Sequence, residues 1–239
     1  MKAGEAQEWL EPQQLVDRFL PATEPLTVLD AGCGSTAHAR FPAQARVVGL
    51  DISREQLEHN DSLHERIVAD LQTYELPAES FNVILCWYVL EHLDDPPAAL
   101  RRLIGALAPG GVLILACPNP RSIKGLLTRF TPHSVHVWFY KRLLRDEHAG
   151  EEGYAPFRTV MSGSIAPGAL RRLAAAHGLT VELETPHNIA SNARRHPSRV
   201  GMRNLGRALD ALTTTLRFVT LGRYRGDLSE YSYVLRRAG

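Results

Sequence analysis

An apolar run that ends in an acid and a glycine-spaced turn is the feature that most constrains the fold of this chain. The run Leu26–Leu29 predicts a buried strand, and Asp30 and then the turn Gly32-Cys33-Gly34-Ser35-Thr36-Ala37 follow it. Because glycine has no β-carbon, the backbone of such a turn can lie against a ligand that other residues would push away. The pattern predicts one half of a nucleoside-binding α/β fold.

A second acid marks the end of the next predicted strand. Asp51 follows the apolar run Val47–Leu50 and lies twenty-one residues after Asp30. A carboxylate at the tip of a neighbouring strand can accept hydrogen bonds from both hydroxyls of a ribose. The sequence therefore predicts that Asp51 holds the ribose of a bound nucleoside.

The same glycine turn matches the G-x-G-x-x-[GA] pattern of nicotinamide-dinucleotide enzymes, so a dehydrogenase is the first alternative. Two features disfavour it. Asp30 would place a carboxylate near a pyrophosphate, which is electrostatically unfavourable. Only twelve residues separate Gly34 from Val47, so the helix whose N-terminus should face that phosphate is short or irregular.

Strand and helix patterns alternate along the chain, which predicts an α/β fold with a doubly wound, mostly parallel sheet. Further strands are predicted at Arg66–Ala69, Phe81–Leu85, Val112–Ala116, Thr180–Glu184 and Tyr231–Leu235. Helices are predicted over residues 1–20 with an interruption at Pro12, over Arg54–Asn60, after the capping residue Asp95, and over Ser164–His177. We expect a single domain over 1–239, with an N-terminal helical segment 1–25, a lid insertion 121–162 and a second helical insertion 186–225.

Basic charge is concentrated in two stretches of these insertions. Arg121–Arg145 and Pro186–Arg225 together hold fourteen basic residues and one acid, a net charge of +13, whereas the rest of the chain carries −12. This segregation predicts an anionic partner at the insertions. Within the second stretch, Val200–Leu221 predicts a basic amphipathic helix, which either packs on the domain as a cap or lies on an anionic membrane or over a hydrophobic substrate.

Five motifs, taken in order, resemble the class I S-adenosylmethionine-dependent methyltransferases, in their small-molecule, methyltransferase type 11-like branch. The motifs are Leu29–Gly34, Gly49–Ser53, Asp70-Leu71, the stretch from Phe81–Ile84 through Leu90–Leu93, and Leu107–Gly111. The resemblance covers residues 26–118 well and 164–185 loosely. It implies a Rossmann-like, seven-stranded sheet with helical lid insertions, S-adenosyl-L-methionine as cofactor, and methyl transfer as the activity. It also gives the Pro-Gly-Gly of the fifth motif a counterpart, which is a third point against a dehydrogenase.

The resemblance implies which residues hold the methionine and ribose parts of the cofactor. Gly32 and Gly34 would let the backbone contact the methionine part, and Asp30 would interact with its amino group directly or through water. Asp51 would take the ribose hydroxyls, in agreement with the spacing argument above.

The resemblance likewise implies residues for the adenine and the sulfonium. Asp70 would accept a hydrogen bond from the adenine amino group, with Ile52 and Leu71 against the faces of the ring. Cys86 and Trp87, at the end of the fourth strand, would lie near the sulfonium. Ile52, Leu71 and Cys86 fit the apolar core equally well, so both interpretations stand at this point.

Methyl transfer to a hydroxyl needs a general base, whereas transfer to an amine often does not. His133 and His136 in the lid are the candidate catalytic bases, and His92 is interpreted as packing beside the cofactor. Methylation of an exocyclic amino group in nucleic acid usually needs an Asn/Asp-Pro-Pro-aromatic motif after the fourth strand, where this chain has Cys86–Val89. Nucleic acid is therefore disfavoured as a partner.

We expect an enzyme that methylates a small, partly apolar and anionic organic acceptor in biosynthetic tailoring. One alternative is a methyltransferase of RNA or protein that docks on the basic insertions. Another is an S-adenosylmethionine-binding protein without turnover, because Thr36 stands where the family usually has a third glycine.

Composition excludes several other classes. The longest apolar runs fall short of the ~20 residues of a membrane span, and residues 1–5 lack the apolar core of a signal peptide, so we expect a cytoplasmic protein with peripheral membrane contact as a variant. The three cysteines follow no pattern typical of a metal site, and no metal is expected.

Overall fold

A seven-stranded sheet in strand order β3-β2-β1-β4-β5-β7-β6 organises the computed structural model, which describes residues 10–144, 148–150, 157–188, 211–221 and 224–239. The strands are β1 Thr27–Ala31, β2 Arg46–Asp51, β3 Glu65–Val68, β4 Phe81–Trp87, β5 Leu107–Pro118, β6 Leu179–Asn188 and β7 Leu228–Arg237. Strands β1 to β5 pair in parallel, and β7 pairs antiparallel with both β5 and β6. The predicted doubly wound, mostly parallel sheet is confirmed.

Both faces of the central strands are covered, which explains their nearly continuous apolar sequences. Successive side chains of β4 alternate between the two apolar layers: Val83 and Leu85 enter one layer, whereas Ile84 and Cys86 enter the other. All four side chains are fully buried. The sheet is therefore a rigid base for the residues at its ends.

One helix precedes the first strand, and the others lie between strands. They are α1 Pro12–Phe19, α2 Arg54–Glu58, α3 Pro96–Ala106, α4 Ile123–Phe130, α5 His133–Phe139, α6 Pro167–Ala176 and α7 over residues 211–219. Short 3₁₀ turns cover Leu90–His92 and Gly163–Ile165, and a π turn covers Tyr140–Leu144. The caps follow the sequence: the side chain of Ser53 accepts from the amide of Gln56, and that of Asp95 accepts from the amide of Ala98.

Three local predictions need correction. Pro12 does not interrupt a helix but begins α1, because proline lacks an amide proton that the first helical turn does not need. The helix predicted over Ser164–His177 is divided: a 3₁₀ turn precedes α6, which starts at Pro167. Strand β5 starts at Leu107, so Pro109–Gly111 lie within it, where the pairing of Phe81 with Leu107 extends the strand.

The parallel arrangement brings the carboxyl ends of β1 to β5 to one edge of the sheet, which we call the carboxyl edge. Asp30 in β1 is in register with Gly49 in β2, and Asp51 at the end of β2 is in register with Val68 in β3. Between β1 and β2, residues 32–45 form no regular helix, as the short spacing predicted. Within the described ranges, no helix is both long and apolar enough to cross a membrane.

Candidate functional site

The glycine turn at the end of β1 has a left-handed backbone. The φ angle is +73° at Gly32 and +56° at Gly34, values that residues with a β-carbon rarely adopt. The amide of Gly32 donates to the carbonyl oxygen of Leu50 at 2.7 Å, which fixes the turn to the end of β2. The position of the turn at the carboxyl edge is therefore fixed by this hydrogen bond.

Asp51 is fixed against this turn by two backbone amides. Its Oδ2 accepts from the amide of Gly34 at 2.9 Å, and its Oδ1 accepts from the amide of Ser53 at 2.9 Å. A carboxylate offers about four lone-pair sites, so roughly one on each oxygen stays available for a ligand. The carboxylate is thus oriented in advance and retains the two acceptor positions that the two hydroxyls of a ribose require.

Asp30 lies deeper and binds a residue that the sequence did not single out. The residue is 1% exposed, and its carboxylate contacts His38 twice: Oδ1 lies 2.8 Å from Nδ1, and Oδ2 accepts from the backbone amide at 3.3 Å. Burial lowers the pKa of His38, but the hydrogen bond to Asp30 and the negative charges of Asp30 and Asp51 outweigh it and raise that pKa overall. A ligand that binds near the carboxylate of Asp30 would therefore also lie near the imidazole of His38.

The residues predicted for the adenine differ in exposure. Ile52, directly after β2, is 74% exposed, which is unusual for isoleucine and leaves an apolar surface available beside Asp51. Leu71 is 4% exposed and belongs to the core. The carboxylate of Asp70 accepts from the backbone amide of Gln72 at 2.8 Å and from its side-chain amide at 3.1 Å. Ile52 and Asp70 thus remain accessible to a ligand, and Leu71 acts from within the core.

Cys86 and Trp87 lie at the end of β4. The side chain of Cys86 is fully buried in the apolar core, and burial, followed by the charges of Glu91 and Asp30, raises the pKa of its thiol. Trp87 is 8% exposed and enters the opposite layer of the core. Only the backbone of Cys86 can therefore contact a ligand, and only a small part of the Trp87 side chain is accessible to one.

A polar cluster that the sequence analysis did not identify follows directly after Trp87. The hydroxyl of Tyr88 donates to Oε2 of Glu230 at 2.7 Å, and Nζ of Lys124 donates to Oε1 of the same carboxylate at 2.7 Å. Glu91 is close enough that the charge of Glu230 raises its pKa, although burial contributes more. Tyr88 and Glu230 are 142 positions apart, so no local sequence signal could have joined them.

The histidines proposed as bases lie on the described part of the lid. His133 begins α5 and is exposed, whereas His136 is half-buried, with its Nε2 at 3.2 Å from the carbonyl oxygen of Thr131. His92 packs edge-on against Phe157 and bonds the carbonyl oxygen of Arg158 through Nδ1 at 2.8 Å. Burial lowers the pKa of His92. The hydrogen bond of His136 thus stays within the lid, and a catalytic role for His133 or His136 remains a prediction.

The chain matches the protein family described as "Methyltransferase domain" over residues 5–184. A ubiquinone biosynthesis O-methyltransferase of Psychrobacter arcticus is 33% identical over 168 residues, which cover 64% of this chain and 58% of that protein. A trans-aconitate 2-methyltransferase of Methylobacterium radiotolerans is 40% identical over 108 residues, which cover 42% of this chain and 41% of that protein. The chain thus spans about half the length of the curated relatives it matches.

Solved structures share the architecture. An S-adenosylmethionine-dependent methyltransferase from Mesorhizobium loti has a TM-score of 0.53 at 16% sequence identity, with 93% of this chain and 95% of that chain covered. At this identity the likeness concerns the fold, and it extends over nearly the whole of both chains.

Proposed function

The chain belongs to the class I S-adenosylmethionine-dependent methyltransferases, and from this premise we propose that it transfers a methyl group to a small organic acceptor, apolar in body and carrying an anionic group. The observation that carries the proposal is the carboxylate of Asp51, held by the amide of Gly34 at the carboxyl edge. Open α/β sheets bind their ligands at this edge.

The residues at the edge fit S-adenosylmethionine chemically. Two carboxylates, Asp30 and Asp51, match the ammonium and the ribose hydroxyls of the molecule, and each retains acceptor capacity beyond its described hydrogen bonds. The exposed Ile52 offers an apolar surface of the kind that an adenine ring covers. We therefore assign Asp30, Gly32, Gly34, Asp51, Ile52 and Asp70 to cofactor binding, with Leu71, Cys86 and Trp87 supporting them from the core.

These residues act by holding and orienting. When bound, S-adenosylmethionine supplies a methyl group that its sulfonium has already activated. Asp51 fixes the ribose, and the glycine turn admits the methionine part, so the acceptor needs only to be aligned for an in-line displacement. Alignment of this kind can lower a barrier by about 7–11 kcal/mol.

The acceptor side belongs, in this proposal, to the lid insertion 121–162. Its described helices expose apolar side chains at the carboxyl edge, including Phe130 at 77% and Trp138 at 59%. The basic residues Arg129, Lys141 and Arg142 are exposed on the same insertion. An acceptor with an apolar body and an anionic group would satisfy both kinds of side chain. The names of the two curated relatives, which mention ubiquinone biosynthesis and trans-aconitate, agree with a small acceptor.

We also propose that the second insertion lets the protein contact an anionic membrane surface. In α7 and just beyond it, Phe218, Val219 and Leu221 are 83%, 71% and 87% exposed, and Arg217 beside them is exposed and basic. Apolar side chains next to arginine are typical of helices that lie at an anionic lipid interface. The residues 200–210 of the predicted amphipathic helix lie outside the described part of the chain.

Replacement of Asp51 tests the cofactor assignment. Loss of even one charge-assisted hydrogen bond to the ribose should cost roughly 1.5–3 kcal/mol of binding free energy. Asp51→Ala should therefore weaken S-adenosylmethionine binding at least about tenfold in calorimetry. Asp61→Ala, which removes an exposed aspartate ten positions further on, is the control and should bind normally. Equal affinities for the Asp51 variant and the unmodified chain would contradict the assignment.

A further inference from the structure

Tyr88 has a strained backbone at the end of β4. Its φ angle is +57°, which is rare for a residue with a large side chain and typical of sites where the surrounding structure enforces the conformation for function. The amide of Tyr88 donates to the carbonyl oxygen of Ala116 at 2.9 Å, so β5 holds the residue in this position. The strain turns the chain sharply at the point where β4 ends.

The segment that contains Tyr88 lies directly on the glycine turn. A β-carbon placed at Gly32 would come within 2.3 Å of Cγ2 of Val89, the residue after Tyr88. Residues 88 and 89 therefore connect the turn assigned to the cofactor with the sheet region on its other side. That region, over β4, β5 and β7, is where an acceptor must approach if the cofactor lies over β1, β2 and β4.

Glu230 is a buried carboxylate that accepts hydrogen bonds from at least two donors among the described residues. It is 4% exposed at the start of β7, and it receives hydrogen bonds from the Tyr88 hydroxyl and the Lys124 ammonium, each at 2.7 Å. A buried carboxylate stays ionised only when such partners compensate its desolvation. Lys124 belongs to α4 of the lid, so the cluster joins the lid, the sheet and the glycine turn.

Glu91 adds a second carboxyl group to the same neighbourhood. It is 5% exposed, and among the described residues its Oε2 has no hydrogen-bond partner. Burial, together with the charge of Glu230, raises the pKa of Glu91 to about 8, so it is protonated at neutral pH. Glu230, whose Oε1 lies 2.7 Å from the ammonium of Lys124, is the carboxylate of the pair that is placed to accept a proton. Glu91 keeps a buried polar atom for which the described structure supplies no partner.

We propose that Tyr88, Glu230 and Lys124 form the acceptor-side catalytic site and that the acceptor atom is the oxygen of a hydroxyl group, such as that of a phenol. The inference rests on the proposed function. A neutral hydroxyl is a poor nucleophile until its proton leaves, whereas a neutral amine attacks through its lone pair without prior deprotonation. A carboxylate acceptor is already ionised and would be repelled by Glu230.

The proton transfer balances within the site. The acceptor hydroxyl donates its hydrogen bond to the oxygen of Tyr88, whose own proton already points to Glu230. As the acceptor oxygen forms its bond to the methyl carbon, the bond between that carbon and sulfur breaks, and its electron pair stays on sulfur as a neutral thioether. The acceptor proton passes to Tyr88, and the Tyr88 proton passes to the carboxylate of Glu230. Lys124 keeps this carboxylate ionised before the transfer.

The test compares two hydroxyl probes of different acidity, catechol and 4-nitrocatechol, in the full chain with S-adenosylmethionine. The nitro group makes the hydroxyl more acidic, so this probe needs less help from a base. A general base contributes about 10²–10⁴-fold to rate. Glu230→Gln should therefore lower kcat for catechol about 100-fold or more but lower it much less for 4-nitrocatechol. Tyr88→Phe should show the same probe dependence, because it breaks the relay while leaving the carboxylate in place.

Matched controls separate this role from a structural one. Tyr233→Phe removes another tyrosine-to-glutamate hydrogen bond, to Glu184, and Glu182→Gln removes a carboxylate paired with Arg236. Both should retain the turnover of the unmodified chain with both probes. Equal losses for the two probes in Glu230→Gln and Tyr88→Phe would overturn the relay, because misfolding or misplacement lowers both rates alike.

Calorimetry with S-adenosylmethionine distinguishes a failure of the hydroxyl assignment from a failure of the proposed function. Normal cofactor binding without methylation of either hydroxyl probe would overturn the hydroxyl assignment and leave the proposed function standing. Failure of the unmodified chain to bind S-adenosylmethionine would overturn the proposed function and this inference with it. O-methyl products that depend on Glu230 and Tyr88, with unchanged cofactor affinity in the variants, are the expected result.

Discussion

At the scale of single residues, the cofactor site depends on carboxylates that the backbone holds in place before any ligand arrives. Asp51 is oriented by two amides, whereas Asp30 is oriented by His38. The second arrangement introduces a titratable group, because an imidazole beside a buried carboxylate is protonated more readily than one in water. The charge of the site therefore depends on pH through the protonation of His38.

His38 should make the stability of the chain depend on pH. Its folded-state pKa is raised above the usual value of 6.5 by Asp30 and Asp51 despite the opposing effect of burial. A raised folded-state pKa stabilises the fold fully below pH 6.5, and this stabilisation is lost as the pH rises through the folded-state pKa. At pH 6, His38→Gln should lower the free energy of unfolding by about 1.5–3 kcal/mol, the value of a charge-assisted hydrogen bond.

Urea denaturation from pH 6 to 9 measures this effect. The loss caused by His38→Gln should shrink as the pH rises, since the unmodified chain loses the same contribution there. His59→Gln, at an exposed histidine of the α2 C-terminus, is the control. A loss that is constant over the whole pH range would show that His38 contributes only by packing.

At the scale of elements, the glycine turn and the end of β4 fit together without space between them. The side chain of Val89 occupies the position that a β-carbon at Gly32 would need. The contact fixes the distance between the turn after β1 and the segment after β4. It therefore sets the cofactor side of the site and the cluster of Tyr88, Lys124 and Glu230 in one rigid arrangement.

Gly32→Ala should be much more destabilising than its backbone angle alone explains. A left-handed alanine costs about 1–2 kcal/mol, and overpacking against Val89 adds about 1–3 kcal/mol. Gly110→Ala is the matched control, because φ is +74° at Gly110 against +73° at Gly32 and nothing lies within 4 Å of the new β-carbon. The double variant Gly32→Ala/Val89→Ala should recover part of the loss. If the two glycine variants unfold at equal urea concentrations, overpacking against Val89 does not change the free energy of unfolding.

At the scale of the whole molecule, exposed apolar side chains are concentrated in the insertions at the carboxyl edge. Helices α4, α5 and α7 with the residues that follow α7 expose nine of the large apolar side chains, namely Leu126, Leu127, Phe130, Val135, Trp138, Leu212, Phe218, Val219 and Leu221. The inner strands β1, β2, β4, β5 and β7 bury theirs almost completely, whereas the edge strands β3 and β6 expose Val68 and Val181. Exposed apolar groups next to basic residues indicate a surface that meets a partner. This distribution supports the proposed anionic membrane contact.

Vesicle co-sedimentation tests that contact with the intact chain. We expect binding to vesicles that contain phosphatidylglycerol and much weaker binding to pure phosphatidylcholine. Burying one large apolar side chain contributes about 1.5–3 kcal/mol, so Phe218→Asp should weaken binding at least about tenfold. Ala43→Asp adds the same charge to an exposed residue before β2 and should not change binding. Absence of binding to both vesicle types would exclude the membrane proposal.

The sequence by itself determined the features that depend on local order along the chain. Alternating strand and helix patterns, the acid before the glycine turn, and Asp51 after the second strand were all readable, because burial periodicity and left-handed turns are encoded within a few residues. The doubly wound, mostly parallel sheet follows from the alternating patterns, since parallel strands joined by helices have few arrangements, and the count of seven strands agrees with the family resemblance. The cap at Asp95 was also predicted, because a cap needs only a neighbour three positions away.

Only the tertiary structure decided where distant residues meet. Pairing with Phe81 moved the start of β5 to Leu107, since a strand extends as far as its partner provides hydrogen bonds. His38 follows Asp30 by eight positions in an irregular segment, where no periodicity indicates which side chain turns inward. Tyr88 follows β4, Lys124 lies in α4 and Glu230 lies in β7. Their contact exists because the antiparallel β7 brings its first residues to the carboxyl edge. Such contacts result from the packing of the whole chain, and no short stretch of sequence contains them.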